Sequence, residues 1–193
     1  MSTPNSSERD RLAELIAAKA VVRGTVTLSS GKEADYYVDL RRISLDGEAS
    51  ALVGPVLLDL VQDWDFQAVG GLTMGADPVA FAMVHAANAR GWAAAHDGAP
   101  LDAFVVRKAE KAHGLQRRIE GPDVAGRRVV AVEDTSTTGG SVLTAVEALR
   151  AAGAEVVGVV VIVDRNTGAQ EKVEAEAGVP YRFAYGLSDI GLA

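Results

Sequence analysis

The chain has no cysteine, which excludes disulfide scaffolds, thiolate metal sites and cysteine nucleophiles together. It has no run of about 18 apolar residues, the length that a membrane-spanning helix needs. Its first residues, Met-Ser-Thr-Pro-Asn-Ser-Ser, lack an apolar signal core, so a cytoplasmic location is expected. Positive charge is not in excess either: 19 Lys+Arg stand against 26 Asp+Glu, a net charge of −7. That balance argues against a nucleic-acid surface. Internal repeats, linkers and composition breaks are also missing, which predicts a single domain over residues 1–193.

What remains is an ordinary globular composition, 48% apolar and 23% charged, in a chain long enough to bury a substantial core. Residues 1–7 read as a disordered tail, with Ser7 as N-cap before the acidic first turn Glu8-Arg9-Asp10. Leu12, Leu15, Ile16 and Lys19 recur at helical spacing, which predicts a helix to about Ala20. Val26–Leu28 and Tyr36–Leu40 read as short strands around the turn Ser30-Gly31-Lys32. Ala49–Gln62 reads as a helix that Gly54-Pro55 should kink or break.

Beyond it the pattern alternates. Strands are predicted at Ala68–Gly71, Ala103–Val106, Arg128–Val132 and Val156–Val163, with helices at Pro78–Ala89 and Ser141–Ala151. The apolar run Val156–Val163 marks a strand buried on both faces. This order predicts an α/β fold, a mostly parallel twisted sheet flanked by helices, with ligands at the carboxyl ends of the strands. His85 and His96 are read as a helix and a loop residue, Trp64 and Trp92 as packing residues, and Glu171–Glu176 as the solvated face of a helix.

Between Val106 and Arg128 lie about twenty mostly polar residues without clear periodicity, longer than loops inside compact domains usually run. They include Arg107, Lys108, Lys111, His113, Arg117 and Arg118, a cationic arm in an acidic protein. A solvated surface loop is the plain alternative; a flexible lid over an anionic substrate is the sharper one.

The segment Val129–Ser141 carries the most chemistry. An apolar strand leads into Glu133-Asp134, then Thr135-Ser136-Thr137-Thr138-Gly139-Gly140, then a helix from Ser141. Small residues let backbone N–H groups approach an anion, and the helix N-terminus adds its dipole. The hydroxyls of Thr135, Thr137, Thr138 and Ser141 could donate further bonds, so a phosphate fits. The two carboxylates would repel it unless they face donors, and the cis hydroxyls of a ribose are suitable ones. An ordinary helix-capping loop is the competing reading. Neither G-x-x-x-x-G-K-[ST] nor G-x-G-x-x-G is present in this segment.

This segment resembles the PRPP motif of type I phosphoribosyltransferases, with Ser136 in place of the usual aliphatic residue. Arg107-Lys108-Ala109-Glu110-Lys111-Ala112-His113-Gly114 is similar to the catalytic-loop signature R-K-x-x-K-x-H-G of the orotate phosphoribosyltransferase family. Thr27–Lys32 with Tyr36-Tyr37 is similar to that family's N-terminal segment against orotate, and Asp164-Arg165 matches its D-R pair. The resemblance spans about Leu12 to Ala184 in the family's order. It departs at Met74 and Ser29, where many members have lysine, and at Leu115–Arg118, which replaces a glycine-rich stretch.

The resemblance implies a type I phosphoribosyltransferase-like fold with residues 8–45 as a small N-terminal hood and a long flexible catalytic loop. It implies transfer of the phosphoribosyl group of PRPP to orotate, with Mg²⁺ carried mainly by PRPP and no direct protein ligand. Lys108, Lys111, His113, Glu133 and Asp134 are the implied catalytic residues. PRPP would also be held by Arg107, by Thr73, Met74 and Gly75, and by the loop Thr135, Ser136, Thr137, Thr138, Gly139, Gly140 and Ser141. Orotate would meet Thr137, Arg165, Tyr36 and Tyr37. For Arg165 there is an independent reason, since a guanidinium binds a carboxylate with paired charge-assisted hydrogen bonds, though a salt bridge to Asp164 is the alternative. A homodimer sharing the catalytic loop is implied as well. A purine or uracil phosphoribosyltransferase and a non-catalytic PRPP-binding regulator are the other readings that the PRPP motif allows.

Overall fold

The structure is a computed structural model that describes residues 6–27, 33–109 and 118–192. Helix α1 covers Ser6–Leu15 and passes into one π-helical turn, Ile16–Ala20. The helix therefore ends where the spacing predicts, but it already includes Ser6 and Ser7. Ser7 is inside the first turn and is not the cap. A hairpin follows, β1 (Val21–Thr27) antiparallel to β2 (Glu33–Val38). β1 starts five residues before the predicted Val26, because Val21 and Val22 already pair with Val38 and Tyr37. The predicted turn Ser30-Gly31-Lys32 lies outside the described residues, as do Leu28 and Ser29.

After the short α2 (Arg41–Ser44), α3 (Ser50–Leu60) packs against α4 (Ala76–Ala89). The predicted break at Gly54-Pro55 does not occur, and the helix runs through Pro55. Gly54 lies so close to α4 that a Cβ there would sit 2.0 Å from the carbonyl oxygen of Ala82. The packing gained along this contact offsets the one backbone hydrogen bond that proline removes.

The main sheet has the order β5-β4-β3-β6-β7-β8, from β3 (Ala68–Leu72), β4 (Asp102–Val106), β5 (Ile119–Glu120), β6 (Arg128–Ser136), β7 (Glu155–Asp164) and β8 (Tyr181–Tyr185). Only β5 runs antiparallel; the other neighbours are parallel. Side chains alternate between two apolar layers. Val130, Val132, Val160 and Ile162 pack toward α1, α3 and α4. Val129, Ala131, Val159 and Val161 pack toward α6 (Gly140–Ala151) and α7 (Ala169–Ala177). Burial on both faces explains why these strands read as continuous apolar runs. On α7, Ala169, Val173 and Ala177 face inward at i, i+4, i+8, which leaves the acidic run on the solvated side as read.

Two differences bear on function. β6 continues four residues beyond Val132, because Glu133, Thr135 and Ser136 pair with Val161, Val163 and Asp164. The strand thus runs through the acidic pair and takes in Thr135 and Ser136, the first two residues of the predicted hydroxyl loop. The long polar interval after Val106 contains β5, whose Ile119 and Glu120 pair with Val106 and Val105. The backbone N–H of Arg107 also donates to Arg118 O at 2.7 Å, so the base of the interval is pinned to the sheet edge. Its centre, with Lys111, His113 and Arg117, lies outside the described residues. The short α5 (Trp92–Ala95) and β8 escaped the periodicity, being only 4 and 5 residues long. Among the described residues, no helix is long and apolar enough to cross a membrane.

The Gly54 contact makes a prediction against helix propensity. Alanine is favoured over glycine by about 1 kcal/mol in a helix interior, but overpacking costs typically about 1–3 kcal/mol. Gly54→Ala is therefore expected to lower stability in denaturant unfolding. An increase would mean that the helices separate without cost.

Candidate functional site

Strands β4, β3, β6 and β7 lie side by side and parallel, so the segments leaving their carboxyl ends emerge at one edge. These are Arg107–Lys108, Thr73–Gly75, Thr137–Gly139 and Arg165–Gly168, all distant in sequence. This edge is where open parallel sheets bind ligands. A cavity of about 310 Å³ opens there. Its walls include Glu133, Asp134 and Thr135 from the end of β6, and Ser141 from the first turn of α6. Opposite them stand Thr73, Met74 and Gly75, with Lys108 from beyond β4 and Tyr37 from β2.

Glu133 and Asp134 are 6% and 9% exposed, which for two adjacent carboxylates is a costly arrangement. Burial, and then the neighbouring Asp134, push the Glu133 carboxyl up; Lys108 pulls it partly back. Burial likewise raises Asp134. Local bonds stabilise them in part: Asp134 N–H donates to Glu133 Oε1 at 3.2 Å, and Thr135 N–H to Asp134 Oδ1 at 2.7 Å. Gly75 lies directly against the pair, where a Cβ would be 2.8 Å from Asp134 Oδ1 and 2.9 Å from Glu133 Oε1. Any larger residue would push the Thr73–Gly75 loop off the carboxylates. The loop is held from its other side by Thr73 Oγ1 donating to Asp77 Oδ2 at 2.7 Å, and the Thr73–Met74 peptide is cis.

The Thr135 hydroxyl is buried in the cavity wall with no hydrogen-bond partner among the described residues. Thr137, Thr138 and Ser141 are exposed, and Gly139 takes a left-handed φ of 73° to start α6. Hydroxyls and a helix N-terminus therefore converge beside the acidic pair, as an anion site requires. Ser136 is different: its side chain is buried beside the Tyr181 hydroxyl.

Arg165 follows β7 on a scaffold of its own. Asp164, 2% exposed, accepts from Tyr181 Oη at 2.5 Å and from Asn166 N–H at 2.6 Å. Both its oxygens are used, and no salt bridge joins it to Arg165 among the described residues. The Arg165 guanidinium instead lies over the Tyr36 ring, 5.5 Å from its centroid, with Nε buried and unpartnered. Thr167 Oγ1 donates to Thr137 O, which ties this segment to the hydroxyl loop. Two of the residues assigned to orotate thus touch, and a third, Thr137, is tethered to their segment.

Arg107 is not drawn into the cavity, and its Nη1 sits 3.4 Å from Glu120 Oε1. Lys111 and His113 lie outside the described residues. Two charged cavity residues escaped the sequence reading, Asp39 and Arg41. They stand just after the Tyr36-Tyr37 pair, and the charge pattern Asp-Leu-Arg-Arg was the available signal.

For a divalent ion, the described residues hold no group of three or more His, Asp or Glu that could form a metal cage. The carboxylate oxygens of Glu133 and Asp134 would suit a hard cation that keeps most of its ligands from a phosphate substrate.

The fold and this site define the type I phosphoribosyltransferase class. The family profile of the phosphoribosyl transferase domain matches residues 60–181. An orotate phosphoribosyltransferase of Streptomyces avermitilis is 72% identical over 184 residues, covering 95% of this chain and 97% of that protein. One of Mycobacterium avium is 60% identical over 185 residues, covering 96% and 97%. A crystal structure of Mycobacterium tuberculosis orotate phosphoribosyltransferase in complex with PRPP superposes with a TM-score of 0.80 at 54% identity, covering 96% of this chain and 99% of that one. The chain belongs to the orotate phosphoribosyltransferase family.

The buried pair predicts a pH effect on stability. Raised carboxyls keep protons in the folded state that the unfolded chain has already lost. The unfolded state then binds fewer protons, so stability falls as pH rises above the ordinary Glu value of 4.5. Glu133→Gln removes that penalty. Its melting temperature should exceed the wild type's by more at pH 8 than at pH 5, while PRPP binding is lost. A gain that does not depend on pH would contradict the shift.

Proposed function

We propose that the chain transfers the phosphoribosyl group of PRPP to orotate, giving orotidine 5′-monophosphate and pyrophosphate in de novo pyrimidine (UMP) formation. The observation that carries this reading is the convergence at one sheet edge of a buried acidic pair, a hydroxyl-rich helix start and a guanidinium lying over Tyr36. Names and coverage of the relatives support the same activity.

In this reading Glu133 and Asp134 accept hydrogen bonds from the ribose 2- and 3-hydroxyls. Thr135, Thr137, Thr138, Ser141 and the amides of Gly139 and Gly140 hold the 5-phosphate. The diphosphate lies toward Thr73, Met74 and Gly75, with Lys108 beside it. Mg²⁺ brought in on PRPP would neutralise part of the diphosphate charge. As the acceptor nitrogen attacks the anomeric carbon, that carbon takes on oxocarbenium character and negative charge grows on the departing pyrophosphate. Cations aimed at that charge lower the barrier, each by roughly 2–4 kcal/mol if they resemble single oxyanion-hole donors. Lys108, Arg107, Lys111 and His113, on the loop between β4 and β5, are assigned this role. Closing that loop would also exclude water, which otherwise hydrolyses PRPP. Arg165 pairs with the orotate carboxylate while Tyr36, Tyr37 and Thr137 hold the ring. Uracil, adenine and hypoxanthine have no carboxylate to engage it.

In this reading residues 1–193 form one domain with 8–45 as a hood, and the cytoplasmic protein acts as a homodimer whose catalytic loop is shared.

Mixing the protein with PRPP, Mg²⁺ and orotate should consume orotate absorbance, with adenine, hypoxanthine and uracil inert. Turnover of one of those bases and none of orotate would overturn the assignment. Arg165→Ala should raise KM for orotate about tenfold or more, the worth of a charge-assisted hydrogen bond. An unchanged KM removes Arg165 from the orotate site. Lys111→Ala should lower kcat far more than it weakens orotate binding, and near-normal turnover would remove the loop from the mechanism.

A further inference from the structure

Among the described residues that line the cavity, Lys108 is the one cation so far assigned to the diphosphate. Three carboxylates line it, Asp39, Glu133 and Asp134, against Lys108 and Arg41. The loop that faces the acidic pair, Thr73–Gly75, has no cation, and its tip Met74 is uncharged and 61% exposed. A group bearing several negative charges there needs a nearby guanidinium or ammonium.

Arg41 meets that need. It opens α2 directly after β2, on the hood side of the cavity, and so reaches the same space from a different element than Lys108. Asp39 Oδ1 accepts from Arg41 Nε at 2.8 Å and from its backbone N–H at 3.2 Å, which holds the side chain against the wall. Those two bonds leave both Nη groups for another acceptor. With its side chain 47% exposed, Arg41 is not structural packing. Its charge also reaches Asp134: each side chain favours the charged form of the other, so Arg41 lies within electrostatic range of the acidic pair.

We propose that Arg41 binds the diphosphate of PRPP and of the pyrophosphate product, supplying from the hood the cation that the Thr73–Gly75 loop lacks, with Asp39 as its positioning residue. This rests on the PRPP reading above. The planar fork of Arg41 would engage two diphosphate oxygens through its Nη groups while Nε stays on Asp39.

Calorimetry with PRPP and with Mg-pyrophosphate, on wild type, Arg41→Ala, Arg41→Lys, Met74→Lys and the double variant Arg41→Ala/Met74→Lys, tests it. Arg41→Ala should bind both ligands on the order of tenfold to a hundredfold more weakly, the worth of a hydrogen bond to a charged group. KM for orotate should stay near the wild-type value. Arg41→Lys should recover part of the affinity, and adding Met74→Lys to Arg41→Ala should recover it from the opposite wall. Melting curves on each variant separate lost folding from lost binding. Wild-type affinity in Arg41→Ala would overturn the proposal. So would a loss that neither lysine restores, because the role would then not be charge supply. In both cases the wild type still binds PRPP and consumes orotate. A wild type that binds neither PRPP nor pyrophosphate would overturn the parent reading, and this proposal with it.

Discussion

Two adjacent carboxylates at the end of a central parallel strand are the constraint to which the rest of the site answers. Glu133 and Asp134 are part of β6, buried by the sheet behind and by Gly75 in front. Burial raises both carboxyls, so the folded chain carries an electrostatic cost at neutral pH. No apolar core needs such a pair. The cost is explained if a ligand with paired hydroxyls completes the carboxylates' hydrogen bonding, as sites that pre-organise charge commonly trade stability for function.

The sheet makes this arrangement possible. Four parallel strands end together, so one edge collects the acidic pair with its hydroxyl loop, the Thr73–Gly75 loop and Arg165, three segments distant in sequence. Smaller devices then fix the directions. Asp164 spends both oxygens on Tyr181 and Asn166, which leaves Arg165 free to lie over Tyr36. Thr167 on Thr137 links that segment to the hydroxyl loop. Asp77 on Thr73 keeps the facing loop in place.

Much of this was legible from residue order. The buried strands announced themselves as unbroken valine runs, and the helices between them as periodic apolar faces. The end of β6 was misjudged because acidic and hydroxyl side chains look like a loop. Their backbone nonetheless pairs with β7, a long-range interaction that local pattern does not carry. The break that Pro55 suggested does not occur for a related reason, since tertiary packing of Gly54 on α4 outweighs one missing helical bond. β5 is two residues long and exists only by pairing with β4. Among the site residues, the acidic pair, Thr135 and Gly75 line one cavity, and Arg165 lies over Tyr36. Arg107 turns to Glu120, and Ser136 turns to Tyr181. Asp39 and Arg41 were missed because a charged pair at the start of a short helix reads as surface until the fold folds it over the cavity.

The central claim is that Glu133 and Asp134 read the two hydroxyls of a ribose phosphate. Isothermal calorimetry comparing ribose 5-phosphate with 2-deoxyribose 5-phosphate tests it most directly, because both sugars keep the phosphate. Loss of one hydroxyl that donates to a buried carboxylate should weaken binding on the order of tenfold to a hundredfold. Equal affinities for the two sugars would contradict the assignment of the acidic pair.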